Sequence, residues 1–341
     1  MFTSNKPSSH NISWPFQSPE TLTPTYTNNY DESLVTGMGG FGNVYKVNIK
    51  RIDCNSIHEP NKFREEVNML ATLRHANIVP LVRYCDKEKT LIYECVSNKT
   101  LDDHLHKYHT HLSWLQRLKV CIDVALGLRF LHHVGSGIES GVIHGDLKSS
   151  NVLLNESWEA KISDFGLWRT WSYIQPSNTC VIDNFGYLDP VYFETGRLRR
   201  KSDVYSLGVL LLEVLCRRRV LSEELYEEGE NLVTWAQTHI KKGNLKHIVD
   251  RQIWDEISPK CLKKFITIVD RCLEKDLELR PTMAEVVANL EVAQASQKKF
   301  NASWRRRRND PCSRQIRRFS YFKLSCIHNF LDPVQPKLLS S

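Results

Sequence analysis

Two short runs, His144-Gly-Asp-Leu-Lys-Ser-Ser-Asn151 and Asp164-Phe-Gly166, constrain this 341-residue chain more than any other feature. Together they set out a carboxylate, a lysine, an amide and a second carboxylate in a fixed order. Eighteen residues separate Asp146 from Asp164, room for a strand, a turn and a returning strand. Asn151-Val-Leu-Leu-Asn155 and Ala160-Lys-Ile-Ser163 read as those strands, with Glu156-Ser-Trp158 connecting them. The hairpin brings Asn151 and Asp164 together as oxygen ligands for Mg2+, which prefers carboxylate and carbonyl oxygen to nitrogen or sulfur. Asp146 is then left to face an incoming hydroxyl.

The chain is long enough for two lobes and a large core, and 41% hydrophobic with 25% charged residues is an ordinary globular balance. Ten cysteines stand singly with no C-x-x-C pair, which argues against a zinc site or disulfide scaffold and suits a reducing compartment. Met1-Phe-Thr-Ser lacks the basic-then-apolar order of a secretory signal, and Phe2 excludes myristoylation. The best apolar run, Leu207 to Leu215, is broken by Glu213 and is far short of a membrane span. The chain as written is expected to be cytoplasmic. Its net charge of +7 is unevenly spread: ten Lys/Arg against one acid place +9 in residues 298–323 and leave −2 for the rest. The basicity belongs to a tail, so no specific nucleic-acid partner is expected of the body.

Residues 1–26 are rich in Ser, Thr, Pro and Asn with no apolar period and read as disordered. From Tyr30 the pattern turns strand-like, with a glycine-rich turn at 37–42. Apolar residues at 63, 67, 70 and 73 mark a helix over Phe63 to Arg74. Thr90 to Val96 is a strand leading into a connector. Helices then dominate: Trp114 to His133, Ser202 to Leu215, and one opening at Pro281-Thr-Met-Ala, where proline suits a helix start. The expected fold is α+β, with a small β-rich lobe (about 27–95) followed by a larger helical lobe (about 96–297), and a basic tail over 298–341.

Gly37-Met-Gly39-Gly-Phe41-Gly42-Asn-Val44 fits G-x-G-x-x-G-x-V, in which glycines let backbone N–H groups approach phosphates where a Cβ would clash. Taken alone, a glycine turn in a hairpin explains it as well. Lys50 follows, and Glu66 lies on the next helix. In this order the lysine grips the α/β-phosphates and the glutamate holds it by an ion pair. Either residue by itself is a solvated surface charge. Leu70, one turn beyond Glu66, would pack against Phe165. Asp203 opens an apolar helix, either as its cap or as an anchor for the loop around Asp146.

With these residues in place the chain resembles the plant receptor-like protein kinases, in particular the FERONIA-like, malectin-receptor group. The resemblance runs from about Thr27 to Gln297. It rests on Leu73-Arg-His-Ala-Asn-Ile-Val79, Phe185-Gly-Tyr-Leu-Asp-Pro190, Lys201-Ser-Asp-Val-Tyr205, Asn231-Leu-Val-Thr-Trp235 and Leu279-Arg-Pro-Thr-Met283 as well as the motifs above. It implies the two-lobed kinase fold, ATP and Mg2+ as cofactors, and protein substrates phosphorylated on Ser or Thr. It also implies roles. Asp146 accepts the hydroxyl proton and Lys148 stabilises the transferring phosphoryl group. Asn151 and Asp164 hold Mg2+, and Gly37, Gly39, Gly42, Val44 and Lys50 hold ATP. Glu94 and Cys95, in the hinge Tyr93-Glu94-Cys95-Val96, meet the adenine edge. Members of the group normally sit in the plasma membrane through a span that these residues lack.

The chain also departs from the family. Only six positions separate Val44 from Lys50, fewer than the family allows. Tyr45, Val47 and Ile49 alternate with Lys46, Asn48 and Lys50 and read as one continuous strand. Six strand residues extend roughly 20 Å, so Val44 and Lys50 are expected far apart along it, with the middle strand of a three-strand meander missing. Asn48 stands where the family has a small alanine, and Asn184 replaces a threonine before Phe185. Val191 replaces the glutamate of the A/D-P-E motif, leaving Arg280 without its carboxylate. Gly145 stands where many kinases have an arginine, which weakens the case for an on-switch by phosphorylation at Ser172, Ser177 or Thr179. Two readings stay open: an active Ser/Thr kinase, or a pseudokinase acting as a binding or scaffold module. A misassembled gene lacking an exon between Lys46 and Val47 is a third. For the tail, a solvated run, an anionic membrane surface contacted through 298–323, and a nuclear-import or nucleic-acid patch are all compatible.

Overall fold

A computed structural model describes residues 16–17, 35–39, 42–45, 49–51, 60–108, 110–134, 141–164, 186–221 and 230–309. The chain divides into two compact units, Met1–Val96 and Ser97–Ser341.

The first unit is built on a sheet of order β1-β5-β6-β4-β3-β2. Its strands are β1 Phe16–Gln17, β2 Val35–Gly39, β3 Gly42–Tyr45, β4 Ile49–Arg51, β5 Leu81–Cys85 and β6 Thr90–Tyr93. β2 to β6 pair antiparallel, whereas β1 joins β5 in parallel, inside the stretch read from the sequence as disordered. The continuous strand expected over 44–50 is not formed. Val44 and Lys50 are instead Cα partners across an antiparallel pair, as are Tyr45 and Ile49, so β3 and β4 run in opposite directions. A three-residue connection is enough for a hairpin. The reversal lets β3 pair on both edges, where a single extended strand would have left one edge's N–H and C=O groups unpaired. The three-strand meander is therefore present, with short strands.

Helix α1, Pro60–Thr72, packs on β5 and buries Phe63, Val67 and Leu70 at the expected spacing. Phe63 meets Tyr84 at 6.4 Å between ring centroids. Asp86 takes Lys89 at 2.5 Å and Arg64 at 2.8 Å, and the Lys89 hydrogen bond leads the causes that lower its pKa.

Among its described residues the second unit is mainly helical, with one two-stranded hairpin. α2 spans Trp114–His133, the residues read from the sequence, and Ser113 and Gln116 close a capping box at its start. β7 Val152–Leu154 pairs with β8 Ala160–Ile162. α3 is Pro190–Thr195, α4 Arg200–Cys216, α5 Leu232–Lys241, α6 Leu245–Ile248, α7 Pro259–Cys272 and α8 Met283–Asn309. The last of these carries helix into the stretch assigned to the basic tail. Residues 310–341 lie outside the described residues, as do Asn48, Phe165, Ser172, Ser177, Thr179 and Asn184.

α4 is apolar on nearly every side and buried throughout from Val204 to Cys216 except at Ser206, the signature of a helix enclosed by others. α2, α5 and α7 pack around it. Gly208 lets α7 come close: a Cβ there would sit 2.9 Å from Cys272 Cβ and 2.9 Å from Leu273 Cδ2. The cysteines facing this core are inert, since burial pushes the thiols of Cys216, Cys261 and Cys272 well up.

Beside α4, the fully buried Arg117 of α2 donates to Leu112 O, Val214 O and Asp250 Oδ2. Burial lowers its pKa and the adjacent Asp250 opposes that shift. Replacing Asp250 by alanine leaves a buried cation without a carboxylate. Urea unfolding of Asp250→Ala is expected to show a loss of about 3 kcal/mol, as for other broken buried pairs.

Candidate active site

The loop between α2 and β7 is fastened to α4 by one carboxylate. Asp203 Oδ1 accepts from Gly145 N at 2.8 Å, and Oδ2 accepts from His144 N at 2.9 Å and His132 Nε2 at 2.8 Å. The residue is 1% exposed, so all three bonds form away from water. Asp203 is thus an anchor and not the cap of its own helix, where Arg199 holds the N-cap position. Gly145 has φ +74°, a left-handed conformation that glycine adopts without a Cβ penalty.

His144 is fully buried, and that burial lowers its pKa ahead of the opposing influence of Asp203. Its Nδ1 accepts from Asp146 N at 3.2 Å and its Nε2 donates to Ser163 O at 3.1 Å, which assigns the neutral Nε2–H tautomer. The ring ties the backbone of Asp146 to the residue before Asp164.

Asn151 lies in a 3-10 turn, Ser149–Asn151, immediately before β7 and not in the strand itself. Its Nδ2 donates to Asp146 O at 2.8 Å and Asp146 Oδ2 at 3.1 Å. With the NH2 committed, oxygen is the atom this amide can offer a cation. Ser163 N and Oγ both donate to Asn151 O, at 2.9 and 3.1 Å, bringing Asp164 to the same end of the hairpin. Asp164 has φ +59°, unusual for a residue with a Cβ and worth about 1 kcal/mol of strain of the kind held at functional sites. Lys148 Nζ is 3.8 Å from Asp146 Oδ1. The second unit therefore gathers Asp146, Lys148, Asn151 and Asp164 into one cluster.

A second buried acid supports the far end of the loop. Glu213 accepts from Ser149 Oγ at 3.0 Å, from His106 Nε2 at 2.8 Å and from the Tyr187 hydroxyl. Burial first, and Glu213 next, raise the Tyr187 pKa well above its ordinary value, which keeps the phenol a donor. Asp102 joins His106 and Glu213 within 4.8 Å, but it already pairs with Arg219 at 3.0 Å and Lys107 at 3.6 Å. The group is an ion-pair network. His106 was not singled out in the sequence and Tyr187 entered only within Phe185-Gly-Tyr-Leu-Asp-Pro190; the lone acid Glu213 in an apolar run was the further signal available.

Arg280 is not left alone. Its Nη1 and Nη2 grip Asp189 at 2.9 and 2.8 Å, both side chains being at most 1% exposed. Glu274 O and Lys201 O take further N–H groups, and the guanidinium lies 5.1 Å from the Tyr205 ring centroid. The expectation that Val191 strands Arg280 is therefore corrected: an aspartate two residues earlier supplies the carboxylate.

The remaining site residues belong to the first unit. Gly37 and Gly39 lie on β2, and Gly42 and Val44 on β3, with Gly39 and Gly42 as partners at the end of the pair. Lys50 lies on β4 and Glu66 on α1; the structure describes their backbone alone. Glu94 and Cys95 follow β6 and are exposed, and Glu94 N donates to Pro80 O at 3.1 Å.

The sequence profile described as protein tyrosine and serine/threonine kinase matches residues 34–290. The chain belongs to that kinase family. Receptor-like protein kinase ANXUR2 of Arabidopsis thaliana is 44% identical over 280 residues, 78% of this chain and 32% of the relative. Receptor-like protein kinase FERONIA of the same plant is 43% identical over 282 residues, 78% of this chain and 31% of that protein. The kinase chain thus spans about a third of the length of these relatives. Among solved structures, the pseudokinase domain of BIR2, an immune regulator of the RLK/Pelle family, is similar with a TM-score of 0.65. It is 26% identical, with 80% of this chain and 85% of that one covered. The kinase fold expected from the sequence is thereby shown. The family generally uses ATP and Mg2+ and acts on protein substrates.

Removing the Asp203 carboxylate would leave two buried backbone N–H groups and an imidazole N–H without acceptors, each worth about 1–3 kcal/mol. Asp203→Ala is expected to lose at least about 3 kcal/mol in urea denaturation. Amide exchange at Gly145 should accelerate in the same variant.

Proposed function

We propose that this chain is a serine/threonine protein kinase domain of the receptor-like type, transferring the γ-phosphate of ATP to hydroxyl groups of protein substrates. The observation that carries this reading is the Asp146–Lys148–Asn151–Asp164 cluster on a loop fastened to buried Asp203. Asp146 orients the acceptor hydroxyl and takes its proton. Lys148 holds positive charge beside that carboxylate, where the transferring group gains negative charge. Asn151 and Asp164 fit a hard dication by donor chemistry, an amide oxygen and a carboxylate. Bound there, Mg2+ would neutralise phosphate charge. On the nucleotide side, Gly37, Gly39, Gly42 and Val44 line the phosphates, Lys50 grips them with Glu66 as its counter-ion, and Glu94 and Cys95 meet the adenine. The Val44–Lys50 cross-strand pairing supports this assignment, because it keeps the two residues side by side.

Purified chain incubated with ATP, Mg2+ and a generic Ser/Thr protein substrate is expected to add phosphate to itself or to the substrate, read by intact mass. Asp164→Ala is expected to abolish it. No incorporation, with no thermal shift on adding nucleotide, would leave a kinase-shaped binding module, a pseudokinase, which is the word the name of the BIR2 domain uses.

A second reading concerns the basic stretch. α8 carries Lys298 and Lys299 and continues to Asn309, and half-exposed Trp304 stacks on Phe300 at 6.1 Å. Aromatic residues among ten Lys/Arg suit an anionic bilayer surface, at about 1 kcal/mol per basic residue. Among the described residues no helix is long and apolar enough to cross a membrane. The chain is expected to sediment with phosphatidylserine vesicles and not with neutral ones. The association should be lost as salt rises from about 0.1 M to about 1 M, which shortens screening from about 10 Å to 3 Å.

A further inference from the structure

Asp189 occupies a knot in the second unit. Its Oδ1 accepts from Arg280 Nη2 at 2.8 Å and from Val191 N at 3.0 Å. Its Oδ2 accepts from Arg280 Nη1 at 2.9 Å and from Ser202 Oγ at 2.8 Å. These four bonds use the full accepting capacity of a carboxylate and join three places in the chain. Asp189 caps α3, Ser202 stands in the first turn of α4 beside Asp203, and Arg280 precedes α8. Two residues before the knot, Tyr187 touches Ser149, the neighbour of Lys148. The segment from Tyr187 to α3 is therefore held at one end against the catalytic loop and at the other by Asp189.

We propose that Asp189 is a positioning residue for the kinase reaction, serving as the counter-ion of Arg280 that residue 191, a valine, does not supply. This rests on the kinase reading. Arg280 is 1% exposed, so its partner carboxylate sets where the segment beside the catalytic loop can sit. Four of the five N–H groups of Arg280 are already given to Asp189, Glu274 O and Lys201 O, so a glutamate introduced at 191 adds little while Asp189 is present. It becomes useful once Asp189 is neutralised, because residue 191 is on the first turn of α3 and glutamate has the longer stem.

Four versions of this 341-residue chain test this: the parent, Asp189→Asn, Val191→Glu and the double variant. The asparagine keeps the size and an acceptor for Val191 N, removes the charge, and sets an NH2 where Arg280 Nη1 and Ser202 Oγ had an acceptor. Asp189→Asn is expected to melt at least about 5 °C lower. Its KM for a protein substrate should rise at least about fivefold with little change in KM for ATP. Val191→Glu should match the parent, and the double variant should recover both readouts. An Asp189→Asn protein that behaves like the parent would overturn the proposal. So would a double variant no better than Asp189→Asn. If Asp189→Asn does not fold, Asp189→Leu combined with Arg280→Met removes both charges. Recovered folding there supports the counter-ion role, and continued failure to fold overturns it. The melting order is read without catalysis, so a parent that transfers no phosphate would sink the enzymatic reading while the ion-pair exchange is still decided.

Discussion

The bond set at Asp203 is the constraint on which the candidate site depends. A carboxylate at 1% exposure is costly unless every lone pair in use meets a donor, and here two backbone amides and an imidazole do so. Because those amides belong to His144 and Gly145, satisfying the acid fixes the backbone that leads directly into Asp146. His144 extends the constraint in the other direction, since its ring reaches the carbonyl of Ser163. One buried charge thereby sets the approach of both carboxylates that would face a nucleotide.

The same helix supplies a second support. Glu213 lies ten residues beyond Asp203, about 15 Å along α4 at the helical rise. It holds Ser149 and Tyr187 as Asp203 holds His144 and Gly145. The catalytic loop is thus tied at both ends to a helix whose other faces are sealed in apolar packing. A fully apolar core of the same volume could match this arrangement in stability. It could not hold a polar loop in one register, because apolar contact carries little direction. The acids contribute geometry, and the Leu and Val residues of α4 supply the rigid background against which that geometry holds.

Much of this was legible in the residues, because local chemistry and period agree there. The α2 span was read from the sequence as Trp114 to His133, and the β7–β8 hairpin from two apolar runs around Glu156-Ser-Trp158. Asp203 was readable because a single acid opening an apolar helix must find donors. What was not legible depends on contacts distant in sequence. Alternation over Tyr45 to Lys50 fits one strand as well as a three-residue reversal, and the choice falls to pairing with β2 and β6, which the local pattern does not contain. The Asp189–Arg280 pair spans 91 positions, and the Glu213–His106 pair spans 107. Glu213 stands alone in an apolar run, but nothing local distinguishes His106 or Asp189 from a solvated side chain.

Two of the departures from the family, the shortening before Lys50 and the valine at 191, turn out to be of one kind. Shortening between Val44 and Lys50 removes connection and strand length yet keeps the two residues cross-strand partners, with Cβ atoms about 5 Å apart in such a pair. The valine at 191 removes a carboxylate from Arg280 yet leaves one within reach at Asp189. Each change falls on a support that has a substitute, and neither touches a group that would meet phosphate or metal. A support can be replaced wherever another residue reaches the same atoms, because its task is to satisfy a charge or pair a strand. In the proposed reaction Asp146, Asn151 and Asp164 have no such latitude, since their oxygens would stand at particular points around a hydroxyl and a cation. That difference between replaceable supports and irreplaceable oxygens is the physical ground for reading the chain as a catalyst.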